Sequence, residues 1–139
     1  MTAPDYDMPR GEAAERRAAI RRAAAATPWG LLGCLKPIIA AWPAAFDGMA
    51  ARAFADIYKA QAVEGVLRAA FGLPLSARYA IALPGDVALV RVDGQAVAGL
   101  FAGVGILIGT PEGFIAGFER DASQFWRAPV GREAKPCRP

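Results

Sequence analysis

Cys34 is the residue of this chain best placed to do chemistry. It follows the glycine-bearing stretch Trp29-Gly30-Leu31-Leu32-Gly33 and precedes an apolar segment, Leu35 to Trp42, that reads as a helix with Pro37 in its first turn. A thiol at a helix start faces unpaired backbone N–H groups and the positive end of the helix dipole, and both favour the thiolate. Those N–H groups can also supply half of an oxyanion hole. The chemistry this suits is nucleophilic attack on a carbonyl, with the acyl group held on sulfur. Such a reaction also needs a group to return a proton to the departing amine. The chain has no histidine. Asp86, Asp93 and Glu119 are the acids to test against Cys34, although a carboxyl of ordinary pKa is a poor proton donor at neutral pH.

The missing histidine also removes the commonest metal ligand. With only two cysteines, Cys34 and Cys137, a zinc site would have to recruit carboxylates against ordinary spacing, so no metal or other cofactor is expected. Two thiols make no disulfide framework; the reading preferred is free thiols in a reducing compartment, with a bridge left open.

The elements that must position Cys34 follow from punctuation and period. The chain has 139 residues, one domain's worth, and is 55% apolar and 21% charged, which excludes a disordered tail protein. Glu12 to Ala26 is rich in Ala, Arg and Glu and predicts a helix whose packing stripe is Ala13, Ile20 and Ala24, ended by Thr27-Pro28. Pro43 stops the helix after Cys34. Asp47 is placed to cap a helix from Gly48 to Ile57, and Lys59 to Phe71 predicts another, with Val63, Val66, Leu67 and Ala70 on one face and Gly72 and Pro74 closing it. The second half changes period. Short β-type runs cover Tyr79–Leu83, Asp86–Val92, Gln95–Phe101, Val104–Ile108 and Gly113–Phe118, and Asp93-Gly94 is a strong hairpin signal. Helices first and an antiparallel meander second predict an α+β domain with helices packed on one face of the sheet. Residues 1–9 and 129–139 are expected to be extended ends around a single domain at 10–128.

The order of these features resembles a known family. Pro28-Trp29-Gly30-Leu31-Leu32-Gly33-Cys34 resembles the W-G-x-x-D-C segment that leads into the catalytic helix of NlpC-type cell-wall peptidases, which are papain-like. It is closer still to small phage and prophage tail proteins distantly related to them. A basic Ala/Arg helix precedes this turn, and a helical stretch ending Phe71-Gly72-Leu73-Pro74 follows. Leu83-Pro84-Gly85-Asp86-Val87-Ala88-Leu89-Val90 is similar to that family's P-G-D strand opening, and a glycine-punctuated hairpin then leads to Gly113-Phe114 and, near the C-terminus, Trp126. About 100 residues, from 12 to 127, follow this order. The chain departs from the pattern twice. Gly33 stands where the family has Asp, and no histidine fills the position near Ala96–Ala98 where the family's catalytic base would lie.

The resemblance therefore implies a papain-like α+β fold with a vestigial nucleophile at Cys34, serving as a structural component at the tip or baseplate region of a phage tail. The partners would be other tail proteins, and the location the virion after assembly in the host cytoplasm. The alternative is an active cysteine hydrolase cutting peptide or amide bonds of peptidoglycan during genome delivery. A third reading is a small bacterial adaptor unrelated to phages, docking through its basic N-terminal helix.

Charge and hydropathy bound the partners. The formal charge is +3, too small for a nucleic-acid-binding excess, and it is concentrated at residues 10–22 and 127–139, each net +3. Neither stretch interleaves aromatics or carries a nucleic-acid motif. Arg16, Arg17, Arg21 and Arg22 on the first helix, with Trp126, Arg127 and Arg132 near the C-terminus, are the expected interaction residues. Trp29 and Trp42 read as core. The N-terminus does not read as a secretory signal, and the longest uncharged apolar run, Ala96 to Ile108, is 13 residues against the roughly 20 that a membrane helix needs. Its Gly99-x-x-x-Gly103 pattern is too short to signal helix dimerisation. A soluble protein is expected.

Overall fold

The computed structural model describes residues 10–26, 33–75 and 81–130 of the chain. Helix α1 runs Arg10–Ala25, close to expectation. Its inward stripe differs in part: Ile20 packs against the core as expected, but the buried positions are Arg16, Ala19 and Ala23, and Ala24 is exposed. The spacing i, i+3, i+7 is helical as anticipated, but the face is rotated because Arg16 has a partner inside the protein. A stripe drawn on apolar residues alone cannot register a buried charge.

Helix α2 is short, Leu35–Ala41, with Cys34 as its N-cap residue and Pro37 in the first turn. Leu35, Pro37, Ile38 and Ala41 are buried. Pro43 then opens a 3₁₀ turn, Pro43–Phe46. The carbonyls left unpaired at the end of α2 are taken by Arg22 of α1, whose Nε donates to Ala40 O at 3.1 Å and Nη2 to Ala41 O at 2.7 Å. Helix α3 spans Ala51–Phe71. Two helices were expected here, starting at Gly48 and parting near Tyr58. Asp47 instead closes the 3₁₀ turn, its N–H donating to Ala44 O at 3.3 Å, and the interruption falls at Ala62 (φ 58°, ψ −154°). Val63, Val66, Leu67 and Ala70 face the core as the sequence predicts.

Five strands follow: β1 (Val87–Val92), β2 (Gln95–Phe101), β3 (Ile106–Thr110), β4 (Gly113–Gly117) and β5 (Ala122–Trp126). All neighbouring pairs are antiparallel, in the order β4-β3-β2-β1-β5. Asp93 and Gly94 both have positive φ (51° and 81°), the geometry of a type I′ turn. The expected strand at Tyr79–Leu83 is absent over 81–83, and Tyr79 and Ala80 lie outside the described residues. Strand β5 is the element the sequence did not announce. It pairs with the outer edge of β1 (Val87↔Trp126, Ala88↔Phe125, Leu89↔Gln124), with a register shift before Val90↔Ala122. Its interrupted alternation, Ala-Ser-Gln-Phe-Trp, is the reason it carries no clean strand signal.

The sheet carries a buried cluster on each face, outside β4. Val87, Leu89, Ala98, Leu100 and Trp126 pack against the helices, while Ala88, Val90, Phe101, Ile106 and Ile108 form a second cluster on the other face. Val97, Ala122 and Phe125 lie against that second cluster, with Phe101 and Phe125 edge to face at 6.2 Å. Two buried faces explain why β1 opens with four consecutive buried residues. Only four residues join β4 to β5, a reach of roughly 17 Å, against roughly 19 Å across four gaps of a flat sheet. The sheet must therefore coil, and it coils around the second cluster. No helix among the described residues is long and apolar enough to cross a membrane.

Candidate functional site

Strands β2 and β3 are paired only at Leu100↔Leu107 and Phe101↔Ile106. Beyond those pairs they splay, and the start of α2 fits into the opening. The result is a cleft of about 490 Å³ lined by Gly33 and Cys34, by Tyr58 of α3, by Asp93 and Ala96 at the β1–β2 hairpin, and by Thr110 at the end of β3. Cys34 is half-buried and its thiol is free. Ala98, past the last β2–β3 pair, donates its backbone N–H to the Cys34 sulfur.

Burial raises the Cys34 pKa above the ordinary thiol value and outweighs the N–H groups of Ala98 and of Cys34 itself, which pull it down. The thiol is thus protonated at neutral pH, the reverse of the activation expected of a helix-start cysteine. Because the folded value lies above the unfolded one, Cys34 leaves stability unchanged at lower pH. It lowers stability as pH rises from the ordinary thiol value through the folded one. In a Cys137→Ser background, labelling of Cys34 by a thiol reagent at pH 7 is expected to be slower in the folded protein than in urea. Equal or faster labelling of the folded form would show an activated thiolate.

The acids tested against Cys34 fall in different places. Asp93 lines the same cleft, yet no side-chain acid or base is among the groups acting on the sulfur. Glu119 sits in a 3₁₀ turn, Glu119–Asp121, and lines a separate hollow with Arg120 and Ser123. Asp86 belongs to a buried cluster of its own. Among the described residues no group of three His, Cys, Asp or Glu could hold a metal ion.

Asp86 is fully buried, and each of its carboxylate oxygens accepts two hydrogen bonds. Oδ1 accepts from Arg16 Nη1 at 2.9 Å and from the Ala128 N–H at 2.8 Å. Oδ2 accepts from Arg127 Nη1 at 2.7 Å and from the Leu83 N–H at 2.9 Å. Arg16 also donates to Pro84 O and, through Nε, to Glu12, both at 2.9 Å, while Trp42 Nε1 donates to Gly85 O at 2.8 Å. Helix α1, the turn before β1 and the segment after β5 are therefore tied at one carboxylate. The sequence did carry a signal for this: Asp86 directly precedes four apolar residues of a buried strand, and a charge there needs a partner.

The expected interaction residues divide. Arg16 and Trp126 are corrected outright: Arg16 is 2% exposed and Trp126 0%, so neither offers a surface. Arg16 is drawn inward by Asp86, and Trp126 by the core, where its Nε1 donates to Gly72 O at 2.9 Å. Arg22 is exposed but committed to the end of α2, and Arg127 is half-buried on Asp86 and Ile81 O. Arg17 and Arg21 are exposed. Arg132 and Cys137, like the Trp29 turn, lie outside the described residues. Packing also continues past the expected boundary at 128, since Pro129 is buried and Val130 lies against the helix-side core. The sequence matches no protein-family model, and no curated protein or solved structure matches it.

Proposed function

We propose that this chain is a structural or interaction component of a bacteriophage tail, at the tip or baseplate region, built on a papain-like fold that has lost its catalytic constellation. The observation that carries this reading is the cleft around Cys34. A thiol heads a helix against a strand, as the resemblance to NlpC-type peptidases implies, and the strand residues beside it are Ala96, Val97 and Ala98. None of these can take or return a proton. Burial of the thiol supports the same reading, since it opposes formation of the thiolate. So does Asp86, whose two oxygens each accept two hydrogen bonds in a buried cluster apart from the Cys34 cleft. The partners are other tail proteins, and the location is the virion after assembly in the host cytoplasm.

The test is made in a phage that encodes this chain. Purified tails are expected to contain it by mass spectrometry, and deleting it is expected to stop tail assembly. Cys34→Ala should leave particle yield and infectivity at wild-type levels. Absence of the chain from purified tails would overturn the reading. It would equally fail if Cys34→Ala abolished infection while the purified wild-type protein released peptides from peptidoglycan, which is the active-hydrolase alternative.

A further inference from the structure

Strand β4 is an outer strand of the sheet, hydrogen-bonded only to β3. Natural edge strands are guarded by charges, prolines or bulges. Gly113-Phe114-Ile115-Ala116-Gly117 has none of these, and it pairs with β3 without a register shift. Ile115 is 41% exposed and Ala116 is exposed as well. The turn between β3 and β4 is the two residues Pro111 and Glu112, so Thr110 and Gly113 form the hydrogen-bonded pair that closes the hairpin. Alternation then commits the backbone groups of Gly113, Ile115 and Gly117 to β3. Those of Phe114 and Ala116 point outward, where among the described residues no backbone partner meets them.

We infer that two copies of this chain join through β4, antiparallel about a two-fold axis at Ile115. In this register Phe114 of each copy lies opposite Ala116 of the other. Both such pairs are of the hydrogen-bonded kind, each exchanging two N–H···O bonds. The two Ile115 side chains meet at the axis in the non-hydrogen-bonded position, where cross-strand side chains are closest. The charges complete the match and single out a second copy as the occupant. Glu112 of one copy falls opposite Phe118 of the other, and over the Phe118 ring, 4.8 Å from its centroid, stands the Arg120 guanidinium. The two-fold axis repeats this Glu112–Arg120 approach at both ends of the strand. The edge is thus complementary to itself, as an isologous interface requires.

The mass of the full chain, measured by light scattering across a concentration series, tests this. It is expected to rise with concentration from 14.6 kDa to about twice that value. Ile115→Lys sets two like charges against each other at the axis and should hold the chain monomeric, with its circular dichroism and melting unchanged because the side chain lies at an exposed edge. Glu112→Arg and Arg120→Glu should each weaken the dimer, and the two together should restore it. A wild-type chain that stays monomeric throughout overturns the inference, including the case in which the edge receives a strand of another protein. So does a dimer that Ile115→Lys leaves intact.

Discussion

Replacing Asp86 with alanine is expected to cost about 3–5 kcal/mol, the range for breaking a buried ion pair by removing one partner. Domains are stable by only about 5–15 kcal/mol, so a large part of the population should unfold. The loss is not that of one contact. Four donors lose an acceptor: the N–H groups of Leu83 and Ala128, which are left unpaired, and Arg16 and Arg127, which keep Pro84 O, Glu12 and Ile81 O but lose their shared carboxylate. Arg16 is the most costly of them, being 2% exposed and left with the partly exposed Glu12 as its counter-charge. Asp86→Asn keeps one acceptor oxygen and the volume, and should fall between wild type and alanine. Urea denaturation followed by tryptophan fluorescence reads both values. An Asp86→Ala protein with the wild-type midpoint would mean that the cluster does not tie α1 and the segment after β5 to the sheet.

Trp126→Ala is expected to be of similar size, about 3–5 kcal/mol, because a large ring is removed from a fully buried site. Trp126 is fully buried, pairs across from Val87 and holds Gly72 O, the carbonyl just past the end of α3. Its loss opens a cavity between helices and sheet and leaves that carbonyl without its indole donor. Trp126→Phe fills most of the space and should recover part of the stability, but not the hydrogen bond. A surface contact would behave differently: alanine would leave the melting temperature unchanged and weaken only association with partners. Thermal unfolding of the isolated protein separates the two.

Much of the fold was legible because its causes are local. The Asp93-Gly94 turn, the antiparallel strands β1 to β4, and Pro37 and Pro43 bracketing α2 each follow from a backbone preference a few residues long. The apolar face of α3 was readable too, since a period of 3.6 survives in Val63, Val66, Leu67 and Ala70. The break at Ala62 was not, because alanine has no preference for positive φ and only the packing around it imposes that conformation. Strand β5 escaped for a related reason. It exists because β1 offers an unpaired edge, and no residue within Ala122–Trp126 states that.

The candidate site divides along the same line. That residues 96–98 would lie beside the thiol came only through the resemblance to NlpC-type peptidases; from sequence alone came Cys34 at a helix start and the lack of any histidine. These depend on residue identity and on the order of elements along the chain. Tertiary structure alone decided that the thiol is held protonated, because its pKa depends on how much water and how many N–H groups surround it. Tertiary structure likewise turned Arg16 inward and made Asp86 a tie between distant segments. A charge of fixed type can be a surface contact or a buried bond, and the difference is set by whether an opposite charge, here 70 residues away along the chain, arrives within 2.9 Å.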